Sequence, residues 1–243
     1  MATPEIVTAD LSYKEENFRA AGFADPTFEA AMRGLPVASF QYNMVKPVLD
    51  LVLVLLALPI ALPLGLLVAL AVRLTSGGSV LYRHRRIGQY QKPLDVWKFR
   101  TMYEDSDTLL DEHLSADAEA RDEWVRTQKL RDDPRVTPIG RLLRKTSLDE
   151  IPQLLNVLAG DMSLVGPRPI VDEERAKYGQ YFRTYTYALP GITGLWQVSG
   201  RCDVDYAERV QMDVQYVEQW SLWMELKILL KTFKVILHSK GAY

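Results

Sequence analysis

The chain has 243 residues, 48% apolar and 25% charged, with 29 Lys and Arg against 31 Asp and Glu and one cysteine, Cys202. That size suits one globular domain with a short extension. It excludes a disordered chain, a disulfide scaffold and an obligate nucleic-acid binder, because apolar content is too high, Cys202 has no partner and the net charge is only -2. The charge is spread unevenly: residues 1–45 carry net -3 and residues 103–133 net -7, which leaves +8 on the remainder. A basic body with two acidic appendages suits anionic partners such as phosphates, anionic lipid or nucleic acid.

Residues 1–45 show no sustained hydrophobic period and contain Pro4, Pro26 and Pro36, so they read as a loosely ordered lead with one short helix at most. From Leu51 to Val72 every residue is Leu, Val, Ala, Ile, Pro or Gly. As helix these 22 residues would reach about 33 Å, against a hydrocarbon core of about 30 Å. The run therefore reads as a membrane segment, and its position fifty residues into the chain argues against a removable signal peptide. Pro59 and Pro63 each remove a backbone donor and crowd the preceding turn, so a bend near the middle is expected. Lys46 precedes the run, whereas Arg73, Arg83, Arg85 and Arg86 follow it, which places the main body in the cytoplasm. Asp50 is tolerable at the edge only near headgroups or paired with a neighbour such as Lys46. A kinked span and a re-entrant hairpin with both ends cytoplasmic both fit this pattern.

Ser76 to Ser79 is a turn signal, followed by two strand-like runs, Val80 to Tyr82 and Leu94 to Phe99, which pair as a hairpin across the basic stretch between Arg83 and Lys92. Residues 104–131 are acidic and polar and read as a solvated helical excursion. Ser147-Leu148-Asp149-Glu150 has the form of a capping box, and Leu148, Ile151, Leu154, Leu155 and Leu158 recur at helical spacing behind it. That pattern predicts a helix with one buried face, with Pro152 in its first turn. Prolines on both sides of Arg168 make residues 166–169 an extended, rigid loop. In the last thirty residues Leu226, Leu229, Leu230, Phe233 and Leu237 share one helical face and Lys227, Lys231 and Lys234 another, with Trp220 and Trp223 just before. A basic amphipathic helix begun by tryptophans suits a membrane interface, as it also suits an ordinary surface helix.

Only three histidines occur, His84, His113 and His238, without metal-ligand spacing, and no Walker A loop, G-x-G-x-x-G or G-x-S-x-G motif is present. Chemistry must then rest on carboxylates, Lys and Arg. At a helix start the backbone N–H groups favour an ionised carboxylate, so Asp149 and Glu150 suit a nucleophile or a metal ligand; a purely structural cap and dipole partner explains the same pair. Lys98, Arg100, Arg141, Arg144, Arg168 and Arg201 all lie beside turns or element ends. Arg168, held between prolines, is well placed to present its guanidinium fork to phosphate.

Four segments together resemble one family: Lys98 to Met102, Ser147 to Leu158, Gly160 to Pro169, and Pro190 to Gly194 running on to Gly200-Arg201. The chain from about Lys46 to its C-terminus resembles the bacterial sugar transferases, the monotopic phosphoglycosyl transferases. The resemblance implies an α+β, mostly helical monotopic protein: a re-entrant helix over 46–75, a compact cytoplasmic catalytic domain over 76–243 and interfacial amphipathic helices. It implies transfer of a sugar 1-phosphate, glucose or galactose in type, from a UDP-sugar to undecaprenyl phosphate with release of UMP, at the cytoplasmic face of a bacterial inner membrane, initiating exopolysaccharide synthesis. Asp149 would then be the nucleophile that carries the phosphosugar, Glu150 would assist, and both would bind Mg2+. Lys98, Arg144, Arg168 with its flanking Pro167 and Pro169, and Arg201 would contact phosphate or nucleotide. The helix break would fall at Pro63, where Leu62 replaces the family's usual small hydroxyl residue, with Pro59 as a second defect. A catalytically silent assembly factor of the same fold, or a hydrolase of the same diphosphate, stands as the alternative. Membrane lipid is an expected partner, nucleic acid is not, and a homo-oligomer is left open.

Overall fold

The computed structural model describes residues 34–76, 78–127, 130, 132–200 and 204–238. The expectations for residues 1–33, Arg201 and Cys202 lie outside the described residues.

A π-helical turn, Gln41–Val45, runs directly into the longest element, α1 (Lys46–Ser76). The chain is helical without interruption through Pro59 and Pro63, so the break expected at these prolines is not seen in the backbone of α1. Both ends of α1 pack against one body. Lys46, Asp50 and Val54 are buried near its start, and Val68 and Val72 near its end. The Lys46 ammonium donates to Glu225 Oε2 at 2.8 Å and lies 3.6 Å from Asp50. Asp50 in turn accepts the Ser163 hydroxyl at 2.6 Å. Between these anchors Leu56, Ile60, Leu62, Leu66 and Leu67 are exposed. An apolar helix with so wide an uncovered face is matched to lipid rather than to water. Residues 34–45 belong to the body, because Val37 and Tyr42 are buried in one core cluster with Tyr187, Tyr216 and Trp220. The loosely ordered lead therefore does not reach as far as residue 45.

The expected hairpin follows as β1 (Leu81–Ile87) and β2 (Pro93–Phe99), antiparallel, with Tyr82 opposite Lys98 and His84 opposite Val96. β1 continues through the basic residues expected to form the connection, and the turn is confined to Gln89–Gln91. The acidic excursion forms two exposed helices, α2 (Ser106–Ala116) and α3 (Ala118–Thr127). It leaves and rejoins the body at a narrow neck: Tyr103 N–H donates to Arg135 C=O at 2.9 Å and Thr137 N–H to Thr101 C=O at 3.0 Å. The Thr137 side chain caps α4 (Pro138–Thr146) by accepting Gly140 N–H. Gly140 has no alternative here, since a Cβ would lie 2.1 Å from Thr101 O.

The expected capping box does not form. Ser147 closes α4 instead, its N–H bonded to Arg144 C=O, in a left-handed conformation with φ +58° that no N-cap adopts. Leu148–Glu150 is a single 3-10 turn, and α5 (Gln153–Leu158) starts only after Pro152. The expected apolar face forms in part: Leu148, Ile151 and Leu154 pack against the core, whereas Leu155 and Leu158 are exposed and Gln153, Asn156 and Val157 are buried instead. Asn156 turns inward because it serves β2, accepting Trp97 N–H at 3.1 Å and donating to Asp95 C=O at 2.8 Å.

The remaining core is built from β3 (Ser163–Val165), α6 (Arg175–Tyr178), α7 (Phe182–Tyr185), β4 (Gly191–Thr193), parallel to β3, and α8 (Leu195–Ser199). It is covered by α9 (Tyr206–Gln219), which has a genuine capping box between Asp205 and Glu208, and by α10 (Leu222–His238). The last helix is amphipathic as expected: Glu225 and Ile228 are buried, while Trp223, Leu226, Leu230 and Phe233 are exposed. The fold is thus α+β and mostly helical, with two two-stranded sheets among the described residues.

The Lys46–Glu225 pair is 1% and 2% exposed at its side chains. Replacing Lys46 with Met strands a buried carboxylate and is expected to cost about 3–5 kcal/mol. Chemical unfolding of the detergent-solubilised chain measures this, and the double variant Lys46→Met with Glu225→Leu is expected to recover only part of the loss, because Trp220 Nε1 then lacks its acceptor and Asp50 its lysine.

Candidate functional site

The 3-10 turn after α4 presents two consecutive carboxylates in different environments. Asp149 is 8% exposed, and burial pushes its carboxyl above the ordinary value, with the Lys98 ammonium 3.9 Å away pulling the other way. Glu150 accepts a 2.8 Å hydrogen bond from Lys98 and lies 3.6 Å from an Arg168 amine. Burial would raise Glu150 too, but Lys98 and Arg168, with a hydrogen bond from Gln153, hold it down at about 2. One carboxylate is therefore locked into ion pairs while its neighbour, more loosely held, is the better nucleophile.

Cations reach this turn from three elements. Lys98 comes from β2, next to Phe99, which is buried. Arg144, in the last turn of α4, donates from Nε to the Thr101 hydroxyl at 3.0 Å and lies in the fields of Asp149 and Asp133. Arg168 comes from the loop after β3. The structure thus brings Asp149, Glu150, Lys98, Arg144 and Arg168 to one place, with Pro167 and Pro169 framing the last.

Pro59 and Pro63 are not part of this constellation, but their helix passes behind it. A Cβ at Gly65 would lie 3.6 Å from Ile151 Cγ2 and 3.9 Å from Phe99 Cζ. The middle of the apolar helix therefore packs on the residues adjoining Glu150 and Lys98.

Sequence reasoning missed the contribution of β1. Alternation along the strand carries Tyr82, His84 and Arg86 on one face, beside Lys98. The Arg86 guanidinium lies 3.2 Å from His84 Nδ1; since Arg can only donate, His84 accepts there and keeps its proton on Nε2. Burial, reinforced by Arg86, Lys98 and Arg168, lowers His84 to about 4, so it is a neutral donor inside a cationic site. The basic run from Arg83 to Arg86 has no hydrophobic alternation, so the sequence carries little signal that β1 continues through it.

Among the described residues no three His, Cys, Asp or Glu side chains form a ready-made metal cage. Asp149 and Glu150 do fit Mg2+, which binds through one or two carboxylates, several waters and the phosphates of a substrate. The arrangement as a whole is a buried carboxylate facing a group of fixed positive charges, suited to attack on a phosphorus whose oxygens those charges neutralise.

The sequence pattern that describes the bacterial sugar transferases matches residues 41–239. The chain is 54% identical over 167 residues to the undecaprenyl-phosphate galactose phosphotransferase of Salmonella typhimurium, covering 69% of this chain and 35% of that protein. It is 48% identical over 194 residues to the exopolysaccharide production protein ExoY of Sinorhizobium fredii, covering 80% of this chain and 86% of the relative. It is 38% identical over 227 residues to the UDP-glucose:undecaprenyl-phosphate glucose-1-phosphate transferase of Escherichia coli, covering 87% and 46%. The chain thus spans less than half the length of the Salmonella and Escherichia relatives and most of the Sinorhizobium one.

Proposed function

This chain belongs to the bacterial sugar transferase family, and we propose that it moves a sugar 1-phosphate from a UDP-sugar to undecaprenyl phosphate, releasing UMP and initiating an exopolysaccharide. The observation that carries the reading is the buried Asp149 carboxylate, set among Lys98, Arg144 and Arg168, with the neighbouring Ile151 and Phe99 against the apolar helix at Gly65. The relatives named for transfer to undecaprenyl phosphate support the substrates, with glucose and galactose the first sugars to try.

In the first step an Asp149 oxygen attacks the phosphorus that bears the sugar. The bond from that phosphorus to the bridging oxygen breaks, and UMP leaves with the electron pair. In the second, a phosphate oxygen of the acceptor lipid attacks the same phosphorus and frees the Asp149 carboxylate. Like-charge repulsion between carboxylate and diphosphate is the main barrier, and Lys98, Arg144 and Arg168 lower it by neutralising phosphate oxygens. Glu150, held ionised between Lys98 and Arg168, fixes both cations in place. Asp149 and Glu150 would also hold Mg2+, which supplies further charge neutralisation at the diphosphate. Splitting the transfer in two lets a soluble nucleotide sugar and a lipid use the site in turn.

The re-entrant topology is part of this proposal. A straight helix of 31 residues reaches about 46 Å, and crossing the bilayer would carry one end to the far side. Here Val54 packs with Leu94 and Val96, and Val72 with Phe99 and Leu143, all in one body. That packing, with the Arg73 to Arg86 cations, favours a body on the cytoplasmic face whose helix dips into one leaflet.

With radiolabelled UDP-glucose or UDP-galactose, undecaprenyl phosphate and Mg2+, the wild type is expected to release UMP, and Asp149→Asn to lower the rate by at least about a thousandfold. Undiminished turnover in that variant would rule out the covalent route, and UMP release that continues over many turnovers without acceptor lipid, beyond the one equivalent the first step supplies, would indicate a hydrolase.

The acid limb of the rate profile provides a second check. Asp149 must be ionised to attack and its pKa is raised, so activity is expected to fall, as pH drops, at a pH above the ordinary carboxylate value of about 4. A limb at or below 4 counts against Asp149.

For topology, single cysteines replacing Phe40 and Leu74, both exposed, are introduced into a chain with Cys202 changed to Ser. Both are expected to escape an impermeant periplasmic reagent in intact cells and to react after permeabilisation. Labelling of one alone in intact cells would mean a full span.

A further inference from the structure

The loop that presents Arg168 is held at nearly every backbone position. Gly166 N–H donates to Thr193 C=O at 2.9 Å and Pro167 C=O accepts Gly191 N–H at 2.9 Å, fixing the loop to β4. Pro169 C=O accepts from Arg86 at 3.4 Å, and Ile170 C=O accepts Ile87 N–H at 2.9 Å, fixing it to β1. Between these two seams the Tyr185 hydroxyl does two things at once. It donates to the carbonyl of Arg168 itself at 2.9 Å and accepts Ile170 N–H at 3.2 Å, so one oxygen grips the chain on both sides of Pro169.

The Tyr185 ring cannot easily move away. It is 2% exposed, 4.6 Å from the Tyr178 ring and 6.3 Å from Phe182, which lies nearly parallel to it. Tyr178 is itself tied down by a 2.7 Å hydrogen bond to buried Asp213. Burial, followed by the field of Asp213, drives the Tyr185 phenol well above its ordinary value, so it stays protonated and can go on donating. The hydroxyl is thus spent entirely on the main chain of the Arg168 loop and faces no reacting group.

We propose that Tyr185 is a positioning residue for Arg168, fixing the peptide from which the guanidinium reaches the diphosphate of the nucleotide-sugar donor. This rests on the proposed role of Arg168 as a phosphate ligand. An arginine side chain has several rotatable bonds, so the entropy lost on clamping a phosphate is smallest when its backbone is already fixed. Without the hydroxyl, the Arg168 carbonyl and the Ile170 amide must find other partners, and the loop between the seams relaxes.

The test is a double-mutant cycle on the full chain in detergent or nanodiscs. Tyr185→Phe is expected to raise KM for the UDP-sugar about tenfold, with kcat changed less than about threefold and KM for the acceptor lipid unchanged. In an Arg168→Ala background the same change is expected to raise KM less than about twofold further, because the residue it positions is gone. A KM within twofold of wild type, or effects that multiply in the double variant, would overturn the proposal. Phe182→Leu serves as a second variant that leaves the hydroxyl in place while loosening its ring wall. A KM rise of about threefold that disappears with Arg168→Ala supports the role, and an unchanged KM speaks against it. Calorimetric titration of UDP onto the same four proteins of the Tyr185 cycle reads the coupling without turnover. If wild type binds UDP with this coupling but transfers no sugar phosphate, the transferase reading fails while the role of Tyr185 stands; if UDP binding is uncoupled from Tyr185, the positioning role fails whatever the activity.

Discussion

The fold depends on an ion pair buried between the start of the apolar helix and the C-terminal helix. Lys46 bonds to Glu225, and the same carboxylate accepts hydrogen bonds from Tyr216 and from Trp220 Nε1 at 2.6 Å. On the other side Lys46 neighbours Asp50, which holds the Ser163 hydroxyl at the start of β3. A charge buried this deeply is tolerable only when nearly every polar atom around it is satisfied, so the network has one arrangement and not a continuum of them. Apolar contacts alone would let a lipid-immersed helix slide or rotate against the body, because lipid tails are as apolar as its side chains. The network fixes depth and rotation together, and β3 leads directly into the loop that carries Arg168.

The site follows the same logic with the opposite purpose. In the anchor, charges are fully matched and inert. Around Asp149 the cations Lys98, Arg144 and Arg168 converge, and nearby His84 is held neutral by burial and by the fields of Arg86, Lys98 and Arg168. An excess of fixed positive charge is costly in an empty protein and suits an anionic partner. Glu150 bears part of that cost by pairing with Lys98 and Arg168, leaving Asp149 loosely held. Two adjacent residues in one short turn thus have carboxyls shifted in opposite directions because burial and partners differ by a few ångströms.

What was legible in the sequence was what short segments carry by themselves: the apolar run, the Asp149–Glu150 pair, Lys98 before Phe99, and Arg168 between prolines. The misreadings arose where long-range packing overrides local pattern. Ser147 and Glu150 have the letters of a capping box, yet the N–H and dihedrals of Ser147 are already committed to ending α4. Leu155 and Leu158 have the period of a core, but the inward face of α5 is set by Asn156, which is bonded to β2, and both leucines are exposed. His84 was obscured by its basic neighbours until the strand register placed it beside Lys98. Tyr185 has no motif at all, since its importance lies in a hydroxyl that meets a loop fifteen residues upstream.

The neck of the acidic excursion has a different kind of consequence. Met102 and Val136 form an isolated bridge, and Gly140 lets α4 sit directly on the Thr101 carbonyl. Everything between positions 103 and 135 therefore leaves and returns at neighbouring points, and Lys98 and Arg144 stand on the body side of that closure. The excursion is a module in the architectural sense: α2 and α3 can change in length without moving the cluster around Asp149, and Asp133 at the return, in whose field Arg144 lies, ties it electrostatically to that cluster. A fluorescent or affinity module grafted between the exposed helices α2 and α3 would extend the chain while leaving that closure and the Asp149 cluster in place.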